Sequence, residues 1–126
     1  MIAKMQVMVI DCPDPAALGR FYQQILGWEL KELDESWVTL AGGDGTTPLA
    51  FQKAPDHVPP QWPDSAHPQQ MHLDLEVDTR EDVERAQEQV LALGAVFLHD
   101  SGGEKRGFRV FADPAGHPFC LCYGQG

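Results

Sequence analysis

Basic side chains are scarce in this sequence: nine Lys and Arg stand against nineteen Asp and Glu, a formal net charge of −10 at pH 7. A chain so charged repels phosphate backbones and anionic lipid, which excludes nucleic acid and membrane surfaces as partners. Long apolar runs are missing as well, and none approaches the roughly 20 residues needed to span a bilayer. The first residues lack the basic-then-apolar order of a secretory leader. Cysteine occurs three times, an odd number with two copies one residue apart, which argues against a disulfide framework. These absences lead us to expect a reduced, cytoplasmic protein. Nothing in the chain reads as a phosphate-cradling glycine loop, a Ser-His-Asp set or paired zinc-finger cysteines.

What is present suffices for one domain over residues 1–126. At 43% hydrophobic and 22% charged, a chain of this length buries roughly two-thirds of its unfolded surface in a single core. Its most regular stretch is Gln70 to Asp78. Met71, Leu73, Leu75 and Val77 alternate with His72, Asp74, Glu76 and Asp78, so a strand here has one apolar and one polar face. The polar face is either solvated or lines a cavity.

Other elements follow from local signals. Met5 to Asp11 is β-rich and stops at Cys12-Pro13. Asp14-Pro15 is an N-cap followed by proline at the first helical position; Leu18, Phe21, Tyr22, Ile25 and Leu26 recur at helical spacing, and Gly27 ends the helix. Trp28 to Leu33, Ser36 to Leu40 and Thr47 to Lys53 read as strands. Residues 54–68 hold five prolines around Trp62, too many for regular structure, so this loop is a lid, a dimer arm or a linker. Thr79 caps a second helix with Asp82 in a capping-box position, a buried stripe of Val83, Ala86, Val90 and Leu93, and Gly94 at its end. Three more strands follow, Ala95 to His99, Gly107 to Ala112 and Phe119 to Tyr123, the last two joined by a type I turn at Asp113-Pro114-Ala115-Gly116.

The order strand, helix, three strands occurs twice, and both helices end Leu-Gly before a strand, a sign of duplication. The residues Asp11-Cys12-Pro13-Asp14-Pro15, Phe21-Tyr22 with Leu26-Gly27-Trp28, Phe51-Gln52, His72-Leu73-Asp74, Leu93-Gly94-Ala95 and Asp113 to Phe119 together resemble the vicinal oxygen chelate superfamily. The likeness is closest to its small glyoxalase-like or bleomycin-resistance-like domains. It implies an α+β fold of two βαβββ modules, approximately 1–54 and 70–126 joined by loop 55–69, that form a curled mixed sheet around a cup with the helices outside. It also implies a homodimer and a small organic ligand.

In metal-dependent members, four cup-facing positions hold a divalent ion that binds a substrate's neighbouring oxygens. If the purely apolar face of each strand meets a helix, those positions here are Gln6, Gln52, His72 and Cys120. Family spacing counted back from Phe21-Tyr22 gives Val7 instead of Gln6, a difference that a bulge at Cys12-Pro13 would absorb; we take Gln6. Only His72 is an ordinary ligand. The set suits Mg²⁺ and Mn²⁺ badly and is mixed for Zn²⁺, Ni²⁺ or Fe. Asp74 shares the face of His72 and is either a partner to the imidazole, a replacement ligand or a solvated rim residue. Trp62 either covers a ligand or packs on a partner subunit, and Arg109 reaches the cup mouth to meet an anion. Cys120 and Cys122 read as small fillers rather than a reactive pair, and His57, His67, His99 and His117 as surface or turn residues. Two functions remain open, beside a purely structural dimer whose cup its own side chains would fill. One is a small-molecule-binding protein with a degenerate metal site, either an enzyme or a sequestering protein of the drug-resistance kind. The other is a metal-dependent lyase, isomerase or dioxygenase with His72 as its surviving ligand.

Overall fold

The computed structural model describes residues 1–125. Its elements run β1 (Met8–Cys12), α1 (Pro15–Leu26), β2 (Glu29–Lys31), β3 (Trp37–Ala41), β4 (Leu49–Lys53), β5 (Leu73–Glu76), α2 (Arg80–Ala92), β6 (Val96–Asp100), β7 (Gly107–Ala112) and β8 (Pro118–Tyr123). They form two four-stranded mixed sheets, ordered β1-β4-β3-β2 and β5-β8-β7-β6. Each is therefore a βαβββ module whose first and last strands run parallel. The expected α+β fold is present, and neither sheet closes on itself. The chain divides into two compact units, Met1–Val58 and Pro59–Gly126.

In the first unit, Asp14 caps α1 by accepting from the Ala17 amide, and Gly27 ends the helix in the left-handed region at φ 70°. Leu18, Phe21 and Tyr22 are buried beneath it, Tyr22 lying parallel to Phe51 of β4 with ring centroids 5.8 Å apart. Burial of this order stabilises by about 1.5–3 kcal/mol per large side chain. The close approach of helix and sheet depends on Gly19, where an added Cβ would lie 2.9 Å from Val38 Cγ1.

The second unit repeats the plan. Thr79 and Asp82 satisfy each other's backbone amides in a capping box. Val83 and Val90 of α2 are buried, while Leu93, expected in the buried stripe, is the C-cap residue and is exposed. Phe111 and Phe119 stack on the same face, centroids 5.5 Å apart. Residues 54–72 contain no helix or strand, and Pro59 packs against Gly116 of the turn between β7 and β8. No helix among the described residues is long and apolar enough to cross a membrane.

The cap gives a first test. Thr79→Ala removes the acceptor for the Asp82 amide and should cost about 1 kcal/mol, read as a lower urea midpoint at unchanged slope. An unchanged midpoint would show that tertiary packing alone fixes the start of α2.

Candidate functional site

The register of each sheet shows which side chains share a face. In the first unit Ile10 pairs with Phe51, and Phe51 stacks on Tyr22 of α1. Even-numbered residues of β1 therefore face the helix, and Val9 and Asp11 share the opposite face with Gln52 and Trp37. This inverts the facing expected for the first strand. The register runs unbroken from Met8 to Cys12, so no bulge within it shifts the frame. By alternation Val7, not Gln6, has the parity of Gln52. Both Gln6 and Val7 precede the paired residues, and Gln6 is exposed. Gln52 stands where expected, exposed on the face opposite the helix.

In the second unit Arg109 marks the helix side, because its guanidinium reaches Glu84 Oε1 at 2.6 Å and Gln87 Oε1 at 2.8 Å on α2. Its Nε also lies 3.2 Å from Asp100 Oδ2. The expectation that Arg109 meets an anion is thereby corrected. Its side chain is 6% exposed and already neutralised by two carboxylates, and those charges hold its guanidinium protonated beyond the usual range, Glu84 foremost.

Residues of opposite parity form the other face. Asp74 pairs with Cys120, Cys120 with Val110 and Val110 with His99, one row across all four strands. Glu76, Cys122 and Phe108 form the next row. A register shift between Phe97 and His99 turns His99 onto this face, whereas strict alternation would send it to the helix side. His99 is thus not an isolated surface residue: Trp62 lies against it, centroids 5.5 Å apart, and Phe108 follows at 6.4 Å.

Three chemically active groups converge at the β5 end. His72 Nε2 lies 3.2 Å from Asp74 Oδ1. Ligand atoms of His72, Asp74 and Cys120 all fall within 4.8 Å of one another. The contact is made by Nε2, one of the two imidazole nitrogens. The Cys120 thiol is pushed up to about 12, chiefly by burial, then by the Asp74 charge and a hydrogen bond to it. The Cys122 thiol is raised too, by burial first and then by Asp74 and Glu76. Neither is an activated nucleophile, in keeping with a filler role.

The sequence of these modules matches the family model of the glyoxalase-like domain over residues 7–122. The chain belongs to the glyoxalase-like domain family, within the vicinal oxygen chelate superfamily. Among solved structures it is similar to a glyoxalase/bleomycin resistance protein/dioxygenase family enzyme from Burkholderia phytofirmans PsJN, at TM-score 0.75, 19% identity and coverage of 96% of this chain and 98% of that one. It is similar also to a lactoylglutathione lyase from Agrobacterium tumefaciens, at TM-score 0.65, 19% identity and 97% and 94% coverage. A fosfomycin resistance protein from Mesorhizobium loti gives TM-score 0.69, 18% identity and 99% and 95% coverage. No curated protein matches the chain in sequence. Identities this low carry the fold and nothing finer.

Members of the superfamily commonly use divalent metals, so the donor set of this glyoxalase-like domain is worth testing for fit. An imidazole, a carboxylate and a thiol suit a borderline-soft ion such as Zn²⁺ and suit Mg²⁺ poorly. The fit requires the Cys120 proton to leave, because only thiolate sulfur is a strong ligand. Sequence reasoning placed His72, Asp74 and Cys120 on one face and missed His99, which only the bulge brings there.

Proposed function

We propose that this glyoxalase-like domain binds a small organic molecule on the face of β5 and β8 that carries His72, Asp74 and Cys120, as an enzyme or as a ligand-sequestering protein. The 3.2 Å contact of His72 Nε2 with Asp74 carries the reading. A carboxylate that fixes one ring nitrogen leaves Nδ1 at a defined position, ready to accept or donate a proton at a bound ligand. Cys120 beside them is protonated, so this reading assigns it a hydrogen-bonding role and no covalent step. Trp62 belongs to this reading as a residue that meets the ligand.

A second reading rests on the same three residues. His72, Asp74 and Cys120 would hold a Zn²⁺-class ion, which would supply Lewis acidity toward neighbouring oxygens of a substrate. In both readings the protein acts as a homodimer in the cytoplasm.

Elemental analysis of tag-free protein purified without chelator, beside His72→Ala, separates the two. The first reading expects well under one ion per chain in both. It also expects a ligand, found by quenching of tryptophan fluorescence, to bind His72→Ala about tenfold more weakly, the worth of one charge-assisted hydrogen bond. Near-stoichiometric metal that vanishes in His72→Ala would transfer the proposal to the metal-dependent reading.

A further inference from the structure

The face that bears His72 and Asp74 is not uniform along its rows. At the β5 edge stand two carboxylates, Asp74 and Glu76, both exposed. At the β6 end stand three exposed or half-buried rings, His99 with Trp62 at 5.5 Å and Phe108 at 6.4 Å between centroids, and Phe108 is 40% exposed. Glu76 and Phe108 share a row with one strand between them, so their Cα atoms are about 10 Å apart. Among the four strands of this sheet, Arg109 is the one Lys or Arg, and it points to α2. No permanent positive charge from these strands therefore offsets the two acids.

We infer that the ligand of this face is a flat aromatic organic cation, its ring on Trp62, His99 and Phe108 and its positive group at Asp74 and Glu76. The inference rests on the small-molecule reading above and names its substrate class. Stacking on exposed rings is sequence-independent chemistry that any planar π-system can use. The carboxylates add selection by charge, since an anion would meet two acids with no counter-ion on the strands. A cation over the same aromatic rings gains a further attraction to their electron-rich faces.

Three probes of matched size at pH 7.5 test this: 9-aminoacridine, which is cationic, acridine, which is neutral, and anthracene-9-carboxylate, which is anionic. Titration followed by tryptophan quenching and calorimetry should show the cation preferred to the neutral ring by about tenfold, with the anion weakest. Glu76→Gln with Asp74→Asn should erase that preference. Phe108→Ala should weaken cation and neutral ring alike. Glu88→Gln, one exposed acid on α2, should change nothing, which separates local recognition from the pull of a −10 chain. Equal binding of cation and neutral ring, or indifference to the Asp74 and Glu76 changes, would overturn the inference. If in that case His72→Ala still weakened the neutral probe, the small-molecule reading would stand without it. Failure of all three probes would also overturn it, and the metal and ligand screens above would then judge the broader reading.

Discussion

Iodoacetamide at pH 8 should leave Cys120 of the folded protein all but unmodified while the urea-unfolded chain reacts readily. The reactive species is the thiolate. A thiol moved from its ordinary 9.0 to about 12 has about a thousandfold less thiolate at that pH. A more basic thiolate is intrinsically more nucleophilic, which returns somewhat more than tenfold of this. A slowdown of at least about thirtyfold remains from the proton alone, before the restricted access of a residue 6% exposed. Peptide mapping by mass spectrometry reads each cysteine separately. Asp74→Asn should speed Cys120 several-fold without restoring it, because burial, the larger cause, remains. The sign for stability follows. A native-state thiol titrating above its unfolded value favours the fold fully below pH 9, and that contribution is lost as pH rises from about 9 toward about 12. Cys120→Ala should flatten this decline in urea unfolding at pH 8 to 10. Equal alkylation rates in folded and unfolded protein would show that Cys120 is not held as a thiol.

The fold was more legible in the sequence than the site, because its signals are local. Caps at Asp14 and Thr79, glycines after each helix and the alternation through Leu73 and Leu75 are local signals, and local structure obeys them. Facing is local only where one side of a strand is clearly polar. That condition holds at Asp74 and Glu76, and at Phe119 and Leu121 opposite Cys120 and Cys122. It fails in β1, where Met8 and Ile10 compete with Val7 and Val9 and the two polar residues have opposite parity, Gln6 that of Ile10 and Asp11 that of Val9. It fails again in β7, where Phe108 and Val110 are as apolar as Phe111, so nothing in the pattern says which way Arg109 turns. His99 was hidden by the extra residue at Leu98, a register shift with no sequence mark. The contact of Trp62 with His99 joins residues 37 positions apart and is a product of tertiary structure.

Arg109→Ala should be among the most destabilising single changes outside the aromatic core, costing about 3–4 kcal/mol and lowering Tm by roughly 10 °C. Two effects add. The long side chain fills space between β7 and α2, and its guanidinium is the shared partner of Glu84, Gln87 and Asp100. The asymmetry of exposure decides which half of the network matters more. Glu84 is 61% exposed and Asp100 33%, so both can regain water when the cation goes. Arg109, at 6%, cannot when the acids go. Arg109→Met, which keeps most of the volume and removes the buried charge, should therefore cost less, about 1–2 kcal/mol. Asp100→Ala combined with Glu84→Ala should cost more than Arg109→Met, since it leaves a buried guanidinium with Gln87 alone. Urea unfolding of the three variants tests the order, and a double mutant milder than Arg109→Met would refute it. The consequence reaches the ligand face. Asp100 follows His99 directly, and its tie to Arg109 holds the strand whose bulge turns His99 toward Trp62. Arg109→Met should thus loosen the aromatic platform at temperatures well below its own Tm, seen as a shift in Trp62 emission that the Thr79→Ala variant, equally mild in stability, does not share.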